Sequence, residues 1–373
     1  VQFRAFAYDI NSADLITELP VRGLEFENRL NDAGAYKSVL PLTGGQGDVD
    51  KGATILGLGG TPFKVVVTDE AQQRAFYSGA CWGTDRTSET LDLTLTGKGL
   101  TSYFTQVSNW KNYNTSVTPT QLIQNVVNDV QARNGANRGL LTRLAIAQQP
   151  AAITPNYLSA NHTTPGQIIS DMTAGLVPGT GGVDYYVEDA IDPTTRVPRH
   201  TLVIAAPRAG RSSATSQLSL VLSAAQKWTW PTDATQSGNH VVALGSTAGV
   251  GSAPSAEAWG QVPIGAKGQM PLLEQVIQFS QVTSKAHLQA LANGLMQLLQ
   301  KPASAPTVTL PVDYEPMPLG SFMVGDEVHV TTEPEPRFPQ GLDEWWRIVA
   351  YKVTAGEDGN YSYTLTLNRP VTF

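Results

Sequence analysis

The sequence predicts a β-rich α+β chain in which two related β-barrel domains are joined by inserted α/β material. Three observations lead there. Apolar residues alternate with polar ones over short runs at both ends of the chain, the period of strands with one buried face. Two well-capped helical segments and a leucine-spaced third lie between those ends. A weak internal repeat links the two strand-rich regions: the stretch 62–99 closes on LDLTLTGKG and the stretch 344–370 on YTLTLNRP, each after an aromatic-bearing strand and a polar turn. At 373 residues the chain is too long for one ordinary domain.

In chain order, residues 3–10, 15–21 and 24–42 read as short strands joined by tight turns. In the last of these, Phe26, Leu30, Tyr36, Ser38 and Leu40 fall on one parity. Between them Asn31-Asp32-Ala33-Gly34 supplies residues that tolerate positive φ, so the segment is a β-hairpin. Lys51–Gly57 reads as a helical turn leading into the loop at Gly57, Gly59 and Gly60. Alternation resumes from Pro62 to Gly99, where Leu91, Leu93 and Leu95 share a buried face. This block closes a first barrel domain over residues 1–107.

Thr118-Pro119 followed by Gln121 is an N-cap, an N1 proline and a capping-box partner, and Leu122, Ile123, Val126, Val127 and Val130 continue at helical spacing. A second helix runs from Pro165 to Leu176. VDYYVEDAI and HTLVIAA are strands, so 108–215 reads as an inserted α+β domain. Strands LSLVLS, AQKWTW and NHVVALG, with those after Pro306, make a second barrel from 216–250 and 305–373. Residues 251–304 read as a linker loop, a strand (272–279) and a helix in which Leu288, Leu291, Leu295 and Leu298 follow a heptad seam.

Composition narrows function. A net charge of −7 and no cluster of Lys and Arg exclude a duplex-binding surface. The charged fraction of 15% is well under the usual value of about 25%, as expected of a surface covered by neighbours or of an uncharged secreted β-protein. A single cysteine, Cys81, excludes a disulfide framework and a multi-cysteine metal site. No run reaches transmembrane length and no signal peptide opens the chain, so a soluble protein made in a cytoplasm is expected.

No catalytic pattern stands out, and neither a cofactor nor a metal site is indicated. His162, His200, His240, His287 and His329 lie in five separate segments, none in an HExxH arrangement. Asp48 and Asp50 are too few for a calcium loop. Asp32, Glu70 and Glu89 are acids that glycoside cleavage would use, with nothing to separate them from solvated surface acids. Neither the glycines at 57, 59 and 60 nor Gly265-Ala-Lys-Gly268 completes a nucleotide-binding motif. Trp228 and Trp230 face one side of a strand, suited to sugar stacking and more commonly to a core. Trp345 and Trp346 are adjacent, so one points inward and the other outward as an interface anchor. The seam of Leu288, Leu291, Leu295 and Leu298 packs either on its own sheet or on another subunit.

Two stretches carry a resemblance. FENRLNDAGAYKSVLPL, residues 26–42, and FPQGLDEWWRIVAYKVTAGEDGNYSYTLTLNRP, residues 338–370, are similar to segments of the minor tail (baseplate-hub) proteins of long-tailed, siphovirus-type phages of actinobacteria. The resemblance implies a tail-hub fold with two tube-like barrels and a structural, non-enzymatic role in the virion at the tail tip. Three copies would form a ring of six similar units, matched to a sixfold tail tube. Implied partners are distal tail ring or tail tube proteins, the tape-measure protein end and other minor tail or tip proteins. Phage DNA would pass through the channel transiently, without specific binding. Because the chain stops just after the barrel-closing block, wall cleavage and receptor binding are expected in those partners. A module binding receptor or cell-wall glycan, and a carboxylate-dependent glycan hydrolase, are the alternatives from other classes.

Overall fold

A computed structural model describes residues 2–12, 14–42, 46–71, 73–86, 92–133, 135–174, 182–195, 197–223, 226–235, 237–246, 253–260, 271–279, 282, 284–300, 304–356 and 359–370. The chain is a β-rich α+β protein with three sheets among these residues. The first half supplies β1 (Phe3–Asp9), β2 (Leu15–Leu19), β3 (Arg22–Arg29), β4 (Ala35–Pro41), helix α1 (Gln46–Gly57), β5 (Phe63–Asp69), β6 (Ala75–Arg86) and β7 (Asp92–Gly99). These strands lie in the order β3-β4-β7-β6-β5-β1-β2. The two outer members, β2 and β3, follow one another in the chain, so the half curls back on itself.

The β3–β4 hairpin shows how the alternation is used. Phe26 pairs with Tyr36, and Leu24, Phe26, Tyr36, Ser38 and Leu40 are all buried, while Lys37 points to solvent. Asn31 takes the left-handed conformation at φ 61°, which asparagine tolerates better than most residues. At Gly34 a Cβ would lie 1.7 Å from the Glu27 carbonyl oxygen, so the turn admits only glycine. Inside, Phe3 stands edge-on to Phe26, Phe76 and Tyr361 at 5.5, 5.4 and 4.8 Å, the arrangement aromatic quadrupoles favour. Leu93 and Leu95 are buried as the alternation requires; Leu91 lies outside the described residues. Helix α1 is longer than the helical turn expected at 51–57.

The terminal half joins the same sheet through β11 (Ser219–Leu222), β12 (Lys227–Thr229), β16 (Thr307–Pro311), β17 (Glu327–Thr332), β18 (Leu342–Ala355) and β19 (Tyr361–Asn368). Strand β18 is the hinge of the architecture. Its first part, from Leu342 to Arg347, pairs with β17, and its later part, from Ala350 to Thr354, pairs with β3 of the other half. Its ladder with β19 shifts register between Ile348 and Ala350. One hydrophobic cluster accordingly runs through both halves, from Phe26, Val65 and Leu95 to Val328, Trp346 and Leu365.

The internal repeat has a structural counterpart. The meander β5-β6-β7 and the meander β17-β18-β19 each centre on a long strand, of 12 and 14 residues, that carries a register shift, and each ends in a strand of 8 residues. The closing strands then pair antiparallel with β4 and β16 respectively. Beyond that the halves diverge: β5 meets β1 antiparallel, whereas β17 meets β11 parallel.

Between the halves lies a unit with its own core, made of α2 (Pro119–Gln131), β8 (Leu140–Ile146), α3 (Pro165–Ala174), β9 (Asp184–Ile191) and β10 (Pro198–Ala206). The Thr118 hydroxyl accepts the Gln121 N–H as the N-cap, and Leu122, Ile123, Val126, Val127 and Val130 are buried on one face. The strands run in the order β8-β10-β9 with β8 parallel to β10. A further three-stranded sheet, β14 (Ser255–Trp259), β13 (His240–Leu244) and β15 (Glu274–Gln278), carries α4 (Lys285–Leu299) on one face. Strand β13, expected in the second barrel, pairs here instead, and β14 occupies sequence expected as linker.

Candidate assembly site

Two groups of residues bear on assembly: those that fix the chain's units against one another and those it shows to neighbours. The first group converges on Asp184, at the start of β9. Its carboxylate accepts from the Asn31 side-chain amide at 2.7 Å, the Ala209 N–H at 2.8 Å and the Arg347 guanidinium at 2.5 Å. Asn31 also accepts the Tyr185 N–H at 2.7 Å through its side chain and donates its own N–H to the Tyr185 carbonyl at 3.0 Å. Arg347 completes the knot by donating to the carbonyls of Ala209 and Gly325. The hairpin tip of the first half, the inserted unit and β18 of the terminal half therefore meet at one buried, hydrogen-bonded carboxylate.

The loop after β10 is pinned beside it. Asp326, wholly buried, accepts from the Arg211 backbone N–H at 2.7 Å and its guanidinium at 2.5 Å, which pushes the arginine pKa up. Glu327 pairs with Arg208 and accepts the Ser213 N–H at 2.5 Å. Gly210, at φ 83°, lets the two backbones touch, since a Cβ there would lie 2.1 Å from the Gly325 carbonyl carbon. The two carboxylates are the buried members of these pairs, and a buried carboxylate holds geometry because it loses its compensation if the partner moves.

A second polar cluster joins β6 to the inserted unit and contains the residue types of a hydrolytic triad. Ser78 donates to Asp189 at 2.5 Å, and Asp189 bonds His200 Nδ1 at 2.8 Å. The order is wrong for catalysis: serine addresses the carboxylate rather than the imidazole, so no base activates it. The side chains of Asp189 and His200 are almost fully buried. Lys64 lies beside them, with its pKa lowered by burial.

The residues expected at an interface divide. Trp346 is 1% exposed and packs edge-on to Trp230 at 4.9 Å. Trp345 is half-buried, its ring stacked on His329, which bonds Asp343 at 2.5 Å. Leu288 and Leu291 are buried and Leu295 partly so, with Leu288 and Leu295 packed in the cluster beneath β13 and β14; the side chain of Leu298 lies outside the described residues. Trp228 and Trp230 both pack against the shared core, with Phe338 beside them. Trp259, 56% exposed, was given no role by the sequence. It stacks on His240 at 3.7 Å, and His240 in turn bonds Glu274 at 2.7 Å and Glu257 at 3.4 Å. Only the small-large alternation of SAEAW signals it.

The other named acids are not brought together. Asp32 faces Arg29 at the hairpin tip, Glu70 sits in the turn after β5, Asp50 is in α1, and Glu89 and the Asp48 side chain lie outside the described residues. His162 caps a short 3-10 turn, and the His287 side chain is not among those described. Among the described residues no group of three or more His, Cys, Asp or Glu side chains is placed to hold a metal ion, and no helix is long and apolar enough to cross a membrane. Cys81 is buried, which pushes its thiol pKa up to about 11.

No protein-family model matches the sequence, and no curated protein matches it. Solved structures do match along the whole chain. A tail protein from Neisseria meningitidis aligns over 99% of this chain and 97% of its own, with a TM-score of 0.61 at 12% identity. The tail protein of a Shewanella oneidensis prophage aligns over 99% of both chains, with a TM-score of 0.59 at 13% identity. A prophage tail protein from Listeria monocytogenes covers 99% of this chain and 95% of its own, with a TM-score of 0.54 at 12% identity. At such identities the likeness is one of fold, and the fold of this chain is similar to that of these tail proteins.

Proposed function

We propose that this chain is a structural, non-enzymatic component of a phage-type tail, a hub that assembles as a trimeric, pseudo-sixfold ring at the end of the tail tube. The observation that carries this reading is the end-to-end match to tail proteins, which includes both halves and the units between them. The paired meanders β5-β6-β7 and β17-β18-β19 support two related barrels per copy, over 1–107 and over the strands of 216–250 and 305–373 that join the large sheet. Two such units in each of three copies present six similar faces, which lets a threefold ring mate with a sixfold tube. Its neighbours in this reading are tube or distal ring proteins, the tape-measure end and other tip proteins. The net charge of −7 suits a channel through which DNA slides without adhering. The link to siphovirus-type phages of actinobacteria rests on residues 26–42 and 338–370 alone.

Light scattering on the purified chain, with class averages of the same sample by electron microscopy, tests this. A particle near three times 39.9 kDa with a central hole and six lobes is expected. A particle of another symmetry, or a monomer that still fails to form rings when mixed with tube ends, would overturn it.

A further inference from the structure

Beside Trp230 the terminal half contains a cleft of about 380 Å³, a size at the lower end of ligand sites. It lies between the turn that joins β17 to β18, the first residues of β18, and Arg369 just past β19. Trp230, Phe338 and Trp346 form its aromatic wall. Trp230 and Phe338 are half-buried and stand edge-on at 5.1 Å, leaving part of each ring to solvent. Trp346 is buried behind them, and its indole N–H meets no acceptor among the described residues.

The rim is polar and mixed in sign. Arg337 donates to the Trp230 carbonyl and to the Thr232 hydroxyl at 2.5 Å, which fixes it at the lip. Arg369 lies over the Trp346 ring at 5.3 Å. Among the described residues the two arginines meet a carbonyl, a hydroxyl and an aromatic ring and no carboxylate, while Glu344 lines the same opening. Aromatic faces ringed by both strong donors and a strong acceptor suit a ligand whose apolar face is surrounded by groups that donate and accept alike. An acidic peptide would satisfy the arginines and be repelled by Glu344; a basic one would meet the reverse. Hydroxyls on a pyranose ring satisfy both.

We propose that this cleft is a saccharide-binding subsite, in which a sugar ring packs on Trp230 and Phe338 and shares its hydroxyls among Arg337, Arg369 and Glu344. It is a binding role for the chain itself, separate from assembly and without any bond-breaking step.

The test uses the full chain on an array of bacterial surface polysaccharides, with positives remeasured in solution by quenching of tryptophan fluorescence. At least one saccharide should bind, and Phe338→Ala should weaken it by about tenfold, the loss of one good aromatic contact. Glu344→Gln and Arg369→Gln, both at exposed positions, should each weaken it severalfold with unchanged circular dichroism. The proposal is overturned if no saccharide binds above the level of the Phe338→Ala variant. It is equally overturned if binding is indifferent to Glu344→Gln and Arg369→Gln together, or if these variants lose capture of an acidic peptide instead.

Discussion

Asp184 takes hydrogen bonds from three separate parts of the chain, and its burial makes each of them count. Replacing it with alanine leaves the Arg347 guanidinium buried without its carboxylate, a change that costs about 3 kcal/mol or more. Urea unfolding of Asp184→Ala should show that loss, and a change under 1 kcal/mol would mean that water already screens the pair. Nothing in the sequence marked Asp184, because an aspartate opening VDYYVEDAI reads as a solvated strand end; its partners lie 153 and 163 residues away. Cys81 was more legible, since a lone cysteine among apolar neighbours is expected to be buried. Its raised pKa has a definite sign. The folded chain holds the thiol proton up to about 11, while the unfolded chain releases it near 8.5. The stabilisation is therefore complete below pH 8.5 and is lost as pH rises towards 11. By pH 10.5 the parent should lose about 2–3 kcal/mol more than Cys81→Ala loses, measured by denaturant titration at each pH.

Among the elements, those with strong local signals are legible in the sequence. The Thr118 cap and the apolar face of α2 sit where the capping box and spacing put them, and the 26–42 hairpin turns at Asn31. The glycine four residues into that hairpin's turn segment is stricter than the sequence suggested. Gly34→Ala would drive a methyl group into the Glu27 carbonyl, so the turn must open or the register slip. A destabilisation of about 2 kcal/mol is expected, together with loss of protection at the amides of β3 and β4 in hydrogen exchange; an unchanged pattern would show that the turn relaxes freely. What escaped the sequence was pairing at a distance. Strand β14 is rich in alanine, a weak strand former, and so passed for linker. Strand β13 was recognisable, but its choice of β14 and β15 over the large sheet is a tertiary decision that alternation does not encode.

At the scale of the molecule, one cluster threads both halves while the β13–β15 sheet and α4 keep a small core of their own. Small cores open first. Leu288→Ala, which empties a fully buried site, should cost about 2–5 kcal/mol. It should speed amide exchange within 240–299 while β5, β6, β18 and β19 stay protected. Uniform loss of protection would instead show that all units unfold as one. The sequence indicated strand-rich regions at both ends of the chain but not how they are joined, because a strand that serves both looks like any other strand. That fusion has a mechanical consequence. Since β18 belongs to one half and is laddered to β3 of the other, tension along the strand direction loads the rungs between Ala350 and Thr354 in parallel, so they yield together and at high force. Tension at right angles peels them singly, and a single-molecule pulling geometry chosen along either axis would meet two different strengths in the same joint.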